Sequence, residues 1–458
     1  MSQKQTRWGT KMGDKMERWL GMSAAALGRG IEQGQIDPVD LTDTYLDAIA
    51  AHPFADRIYA RTTPDRARAE AQAASHRAKA GQRLSPFDGV PASWKDLFDT
   101  AGTVTEAGTA LLAGRVPDTD AQVLQAATAL GLVCLGKTHM SELAFSGLGL
   151  NPITATSPCV NDHDAVSGGS SSGAATSVAF GLAPIAIGSD TGGSVRIPAA
   201  WNDLVGLKTT SGRVSLRGVV PLCARFDTVG PLCRTVEDAN IMLAALEGRS
   251  APADLTGATL DGVHFAVLET VALEDLREAP KRGFDAAIDR LQAFGAKITR
   301  IQAPQVAQAM PLAAVLYASE AYGTWKVEIE ANPDAMFPEI LERFRGGRDV
   351  SAADFVAAWQ KLDQLRESYH ADVAQYDAVL LPASPILPPN HDRLLHDSDY
   401  YVTENLLALR NTRIGNLLGG CGLTIPTGVP SCGLLMMGTP MAEERLLRLG
   451  AAVENAFV

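Results

Sequence analysis

A glycine-rich segment that follows an apolar strand contains the serine best placed for chemistry. Residues 188–199 are GSDTGGSVRIPA, and the predicted strand before them, residues 184–189, is PIAIGS. The two glycines before Ser194 allow a tight turn that leaves several N–H groups facing one point beside its hydroxyl, which suits an oxyanion hole. Ser194 is therefore a candidate nucleophile that needs a base. The same residues also fit a glycine-rich structural turn capped by Asp190.

Two further segments add a second serine and a lysine. Residues 168–173 are GGSSSG, with Ser170 as the first serine, and Lys95 lies in the sequence WKDLFD. Ser170 lies 24 residues before Ser194, and Lys95 lies 75 residues before Ser170. These spacings and the flanking residues resemble the Ser–Ser–Lys pattern of the amidase signature family of serine amidohydrolases.

This resemblance covers about residues 25 to 450 and implies a role for each matching residue. Ser194 would be the acylated nucleophile, Ser170 would relay a proton, and Lys95 would be the base. In the family, the middle serine lies on a cis peptide bond. The N–H groups of the implied oxyanion hole belong to Thr191, Gly192, Gly193 and Ser194. Other segments that match the family are GLKTTSGRVS (206–215), DTVGPL (227–232) and AVLLPAS (378–384).

The implied activity is hydrolysis of a linear carboxylic amide to an acid plus ammonia or an amine. Ser194 would attack the carbonyl carbon, and water would then hydrolyse the acyl-enzyme through the same proton relay. The reaction would need no metal or organic cofactor, and the sequence has no His, Cys and Asp cluster at metal-ligand spacing. The expected partner is a small-molecule amide, and a homodimer is compatible with the sequence.

Lys95 can act as a base only if its pKa is lowered. A free lysine has a pKa of about 10.4, and a decrease of about three is equivalent to ~4 kcal/mol. Burial could supply this decrease. Asp96 and Asp99 would oppose it if they faced the amine, although strand alternation places Asp96 on the opposite side. Without the two serines, an exposed loop lysine would be the preferred interpretation. Apolar neighbours that favour burial are Val90, Pro91, Ala92, Trp94, Leu97 and Phe98.

Other polar residues near the two serines are expected to support the site. Asp190 and Arg196 flank the nucleophile, where they could bind substrate or hold the loop in shape, and we expect structural support. Ser171 and Ser172 are expected to donate hydrogen bonds behind the site or at the start of a helix. Residues expected to line an acyl pocket or pack in the core are Phe145 and Leu148, and aromatic residues that permit an apolar pocket are Tyr317, Tyr322, Trp325 and Phe337.

Alternating helix and strand patterns predict the scaffold. They indicate a single α/β domain with α/β/α layers, in which helices flank a buried, mixed sheet. We assign a polar N-terminal arm to residues 1–24 and the amidase domain to 25–458, with room for a smaller elaboration at about 245–375. Predicted helices include one that Thr63 caps and Pro64 begins, and others at 119–130, 171–181, 281–294 and from Met441. Predicted strands include one ending near Lys95 and others at 132–135, 184–189 and 378–384, together with HFAVL, AKITRI, LTIP and GLLMM.

Composition narrows the function classes. The chain of 458 residues has 40 Lys and Arg against 52 Asp and Glu, a net charge of −12, which argues against a nucleic-acid binder. It has neither an apolar run of about 18 residues nor an apolar secretion segment at its start, so we expect a cytoplasmic protein without a membrane span. Six scattered cysteines, expected to be reduced core thiols, are at positions 134, 159, 223, 233, 421 and 432.

Two short motifs match other chemistries in letters only. Residues 131–138 fit the phosphate-loop pattern, but the four variable positions are apolar and form a predicted strand. Residues 169–173 fit the nucleophile elbow, but polar residues precede them where an apolar strand is needed. GGSSSG also resembles a flexible linker, yet the apolar sequence AATSVAFG follows it at once.

Three functions remain open from the sequence. The first is a free-standing amidase, the second is the glutaminase component of a tRNA-dependent amidotransferase, and the third is an inactive binding scaffold. The glutaminase component has a block resembling SNLxRYDG, where this chain has ASEAYGTWK at 318–326. Its late GLPxGxQ segment is also replaced, by SCGLLMMG at 431–438. Both departures weaken the amidotransferase interpretation, and the competent residues at all three triad positions weaken the scaffold.

Overall fold

The computed structural model describes residues 18–457, in which the strands form one mixed, eleven-stranded sheet. In sheet order the strands are β1, β3, β2, β4, β6, β5, β10, β11, β9, β7 and β8. Their bounds are β1 Tyr59–Thr62, β2 Pro91–Lys95, β3 Val133–Thr138, β4 Ile185–Asp190, β5 Val205–Lys208, β6 Thr228–Cys233, β7 His264–Leu268, β8 Lys297–Ile301, β9 Ala378–Pro382, β10 Gly422–Pro426 and β11 Gly433–Met437.

Helices cover both faces of this sheet. Every residue of the central strands β2, β3, β4, β5 and β6 is buried, which requires cover above and below. The mixed sheet with flanking helices confirms the predicted fold class. The helices are α1 Ala24–Glu32, α2 Pro38–Ala51, α3 Ala55–Ile58, α4 Pro64–Lys79, α5 Gln122–Ala129, α6 Ser172–Ala179, α7 Arg196–Trp201, α8 Val236–Leu246, α9 Glu278–Ala293, α10 Pro304–Ala309, α11 Leu312–Ala331, α12 Pro338–Arg345, α13 Ala352–Val373, α14 His391–His396, α15 Ser398–Leu417 and α16 Glu443–Phe457.

The parallel pair β2 and β4 determines where chemistry can occur. Their register places Ser93 beside Ala186 and Trp94 beside Ile187, so the two strands end at the same edge of the sheet. Lys95 is the last residue of β2, and the glycine-rich loop follows β4. Residues from distant parts of the chain therefore meet beyond these carboxyl ends, where open α/β sheets bind their ligands.

The predicted elements agree with the observed ones except at one helix cap. Thr63 precedes α4, but its hydroxyl donates to the carbonyl of Cys134 at 2.8 Å instead of capping the helix. The predicted cap is therefore wrong, because the adjacent strand β3 offers the hydroxyl a buried acceptor. The phosphate-loop match coincides with β3, as expected of a plain strand, and Lys137 there donates to Thr105.

Other expectations concern the ends and the interior. Residues 1–17 of the predicted arm lie outside the described residues, while Trp19 is buried and its carbonyl accepts a hydrogen bond from Tyr45. The division into an arm and a domain with an elaboration stays a prediction. All six cysteines are buried free thiols, which confirms their core placement. Between residues 18 and 457, no helix is both long and apolar enough to span a membrane.

Candidate active site

The side chain of Lys95 makes two hydrogen bonds at the end of β2. Its Nζ donates to Ser170 Oγ at 2.7 Å and to Ser189 Oγ at 2.8 Å. Lys95 is 0% exposed, so neither bond competes with bulk water. The structure thus brings together the lysine and the first serine that the sequence placed 75 residues apart.

Burial changes the acid–base behaviour of this lysine. Loss of hydration lowers the pKa of Lys95 to about 7, although the carboxylates of Asp190 and Asp227 act in the opposite direction. Asp96 does not oppose the shift, because it pairs with Lys137 at 3.2 Å and with Arg61 at 2.8 Å. The amine can therefore be neutral, and accept a proton, near physiological pH.

Ser170 enters the site from the loop before α6. The peptide bond between Gly169 and Ser170 is cis, as the resemblance implied. The next residue, Ser171, donates its N–H to the Ser194 carbonyl at 3.2 Å, so the two serine segments are joined through the backbone. Within the described chain, no hydrogen bond joins the hydroxyls of Ser170 and Ser194.

The two neighbouring serines support this arrangement from behind. Ser171 Oγ donates to the carbonyl of Ser189 at 3.2 Å. Ser172 begins α6, and its Oγ donates to the carbonyl of His139 at 3.4 Å. These contacts fit the supporting and helix-start positions expected of the two residues.

Ser194 lies on the loop between β4 and α7. The loop turns at Gly193, whose φ of +141° is rarely accessible to other residues. A Cβ there would lie 2.0 Å from Thr412 Oγ1, so glycine is also required by space. Gly192 has no such constraint, since its Cβ would be 3.5 Å from the nearest atom. Only the second glycine of the pair is therefore essential for the turn.

The predicted oxyanion donors differ in availability. The N–H of Gly193 donates to Asp190 Oδ1 at 2.9 Å, so it is already engaged by a carboxylate. This corrects the predicted donor set, in which Gly193 was included. Gly192, Ser194 and Thr191 line a pocket beside the loop, and in residues 18–457 the N–H groups of the first two have no hydrogen-bond partner. A carbonyl oxygen in this pocket could accept from them.

A buried ion pair holds the loop in shape. Arg196 donates from Nε to Asp190 Oδ2 at 3.0 Å and from Nη2 to Oδ1 at 2.9 Å. Its remaining donors reach the carbonyl of Thr412 and the amide oxygen of Asn416. Burial alone would raise the pKa of Asp190, but the guanidinium outweighs it and keeps that pKa well below its usual range. The pair therefore has the supporting position expected for it.

Removing the guanidinium should destabilise the whole fold. In Arg196→Met the Asp190 carboxylate stays buried without its counter-charge, and we expect the free energy of unfolding to fall by ~3–5 kcal/mol. Urea denaturation followed by circular dichroism measures the change. Arg29→Met is the matched control, because Arg29 pairs with Glu237 at 2.6 Å on the surface. We expect a loss below ~1 kcal/mol there, and equal losses in the two variants would contradict the proposed support.

Sequence reasoning missed three residues of the site. Ser189 shares the lysine amine with Ser170, and Asp227 accepts from Thr191 Oγ1 at 2.5 Å. Asn416 donates to Asp190 Oδ1 at 2.9 Å. Ser189 and Asp227 lie inside segments that matched the family, so their motifs were a usable signal. Asn416 lies on α15, where no local pattern indicates a contact with residue 190.

A narrow pocket of about 30 Å³ adjoins Ser194. Phe145 and Tyr317 line it, so the structure gives both of them the predicted pocket position. Leu148 is fully buried in the core instead. The remaining aromatic candidates lie outside the lining of this pocket: Tyr322, Trp325 and Phe337.

A comparison with known families matches this geometry. A family model described as Amidase matches residues 40–447. The chain belongs to the amidase signature family. It is therefore a hydrolase of the amidohydrolase kind, as the serine and lysine segments indicated.

Relatives within the amidase signature family extend over almost the full chain. A 2-amino-5-chloromuconic acid deaminase from Comamonas testosteroni is 34% identical and covers 94% of this chain and 96% of its own. A glutamyl-tRNA(Gln) amidotransferase component from Mycolicibacterium gilvum is 30% identical, with 96% and 98% covered. A crystal structure of an amidase superposes with a TM-score of 0.85 at 29% identity and covers 95% and 99%.

Proposed function

We propose that the protein hydrolyses a linear carboxylic amide through an acyl-enzyme on Ser194. The observation that supports this most is the 2.7 Å hydrogen bond from the buried Lys95 amine to Ser170 Oγ. A lysine with a pKa near 7 can accept a proton from a serine hydroxyl, and a deprotonated serine can do the same for its neighbour. Ser194 would have to approach Ser170 when substrate binds, since catalytic hydrogen bonds often tighten only in the complex.

The proposed reaction has two acyl-transfer steps. As Ser194 Oγ bonds to the carbonyl carbon, its proton passes to Ser170, whose own proton passes to Lys95. The N–H groups of Gly192 and Ser194, with that of Thr191, would stabilise the oxyanion. Collapse breaks the C–N bond, and the proton returns through Ser170 to the departing amine. Water then attacks the ester along the same relay and releases the acid, so the chain supplies every group that the reaction needs.

A covalent probe tests the nucleophile directly. Intact protein treated with a fluorophosphonate should gain one phosphonyl group, and peptide mass spectrometry should locate it on Ser194. Heat-denatured protein is the control, because only the folded relay activates the hydroxyl. An adduct on Ser170 would reverse the order of the two serines, and no adduct would contradict the proposed mechanism.

Ammonia release separates the proposed amidase from the alternatives. Purified protein without any partner should release ammonia from small carboxylic amides. The amidotransferase alternative has a specific observation in its favour, namely relatives with that name at 30% identity over the whole chain. That alternative predicts weak cleavage of glutamine alone, while an inactive scaffold predicts no cleavage of any amide. A homodimeric state and a cytoplasmic location stay predictions from the sequence.

A further inference from the structure

Two cavities meet beside the proposed nucleophile. The inner one is the narrow pocket that Ser194 lines, and the outer one is wider, about 360 Å³. Four residues line both: Phe145, Tyr317, Arg343 and Arg413. The two arginines therefore lie at the junction through which the inner pocket opens into the outer cavity.

Neither arginine has a counter-charge. Between residues 18 and 457, no hydrogen bond or ion pair joins Arg343 or Arg413 to a carboxylate, and the buried Nε of Arg343 has no hydrogen-bond partner. Arg343 lies over the ring of Phe145, 4.5 Å from its centre, which offers only weak compensation. Guanidinium groups in protein interiors are normally paired, so these two charges need an explanation.

The surroundings make each charge more costly. Burial and then the neighbouring Arg413 lower the pKa of Arg343 to about 10, and burial lowers that of Arg413. Both side chains thus remain cations while being partly dehydrated and close to a like charge. A bound anion would relieve both penalties at once.

A third unsatisfied donor faces the same place. The hydroxyl of Tyr317 is buried and has no hydrogen-bond partner among the described residues, although its ring lines both cavities. Tyr317 is 8% exposed, so water does not readily replace a missing partner. Two guanidinium groups and one phenol hydroxyl together match the oxygens of a carboxylate, which accepts several hydrogen bonds.

The acidic residues nearby lie on the outer side. Glu339 and Glu342 line the outer cavity but not the inner pocket, whose lining among the described residues contains both arginines and no carboxylate. Glu342 contacts Arg345 at 3.3 Å rather than either junction arginine. A negative group is therefore favoured on the inner side, close to Ser194.

We propose that Arg343, Arg413 and Tyr317 form a carboxylate subsite, so that the substrate is an amide that also has a free carboxylate. This inference deepens the proposed amidase function and rests on it. Hydrolysis of such a monoamide consumes water and yields a dicarboxylate and ammonia. The position of the pair beside the nucleophile limits the carboxylate to a few bonds from the amide.

Pairs of nearly isosteric amides test the charge requirement. Succinamate is compared with butyramide, and glutaramate with valeramide, by kcat/KM for ammonia release. The wild type should prefer the carboxylated member of at least one pair by more than 10-fold. Arg343→Gln and Arg413→Gln should each reduce that preference by about 10- to 100-fold, since each removes a charge-assisted hydrogen bond. Both should change kcat/KM for the neutral amide by less than about threefold.

Two further variants separate recognition from folding. Arg348→Gln is the matched control, because Arg348 is exposed, five residues beyond Arg343 and outside both cavities. It should leave the preference unchanged. Arg343→Lys keeps the charge and should restore part of the preference. An equal loss on charged and neutral amides in the Gln variants would overturn the subsite, and so would a wild type that prefers neutral amides.

Binding and labelling distinguish this inference from the proposed function. Calorimetry should detect succinate or glutarate binding to the wild type and at least 10-fold weaker binding to Arg343→Gln. If fluorophosphonate labelling fails but this binding difference persists, the proposed mechanism falls and the carboxylate subsite stands. If Ser194 is labelled but neither dicarboxylate binds and neither carboxylated amide is preferred, the subsite falls and the amidase function stands.

Discussion

Replacing Ser194 by alanine is expected to lower kcat for amide hydrolysis by at least ~10⁴-fold, because the acyl-enzyme cannot form without its oxygen. The residual rate would come from the oxyanion donors and substrate binding alone. Steady-state ammonia release measures the loss, and phosphonyl labelling should disappear with it. Ser194 is 3% exposed and lines the pocket, so removal of one oxygen leaves the packing nearly unchanged.

Two other serine substitutions interpret that loss. Ser211→Ala is the control, because Ser211 is exposed and its hydroxyl donates only to the carbonyl of Arg225. It should retain full activity. Ser170→Ala should also lose activity, since it removes the group that contacts the lysine. Substantial hydrolysis by Ser194→Ala, together with an inactive Ser170→Ala, would identify Ser170 as the nucleophile.

The strands were predictable because their sequences have few alternatives. Runs such as AVLLPAS and HFAVL are apolar throughout, and only a sheet covered on both faces buries every side chain of such short segments. The cap at Thr63 was not predictable in the same way. Its hydroxyl chose between a helix N–H and the carbonyl of Cys134, and that choice depends on how closely β3 packs, which no local pattern encodes.

The site shows the same division between local and distant contacts. The turn before Ser194 follows from its own glycines, but the engagement of the Gly193 N–H by Asp190 depends on a detailed loop conformation. The family resemblance supplied the link between Lys95 and Ser170, which 75 residues of sequence would otherwise conceal. Arg343 and Arg413 lie on α12 and α15, and only the packed structure reveals that they meet at one pocket without a counter-charge.

The activity is expected to rise with pH as Lys95 loses its proton. Because burial lowers its pKa to about 7, the amine is mostly protonated below that pH and cannot accept a proton from Ser170. The rate kcat/KM should therefore increase about tenfold per pH unit between 5 and 6 and level off above about 8. Measurements with a neutral amide avoid titration of the substrate. A profile that is flat from pH 5 to 9 would mean that another base is used.

Replacing Lys95 by methionine should abolish this dependence and lower kcat by at least ~10³-fold. Methionine has a similar length and no charge, so it fills the buried space at the end of β2 without titrating. Ser170 and Ser189 each lose one hydrogen bond, a smaller loss than an unpaired charge would cause. Lys326→Met, at an exposed position on α11, should retain both the rate and the profile. If Lys95→Met kept the rise near pH 7, the titrating group would be a different one. If it kept the rate as well, the relay from Ser170 to the lysine would have no part in catalysis.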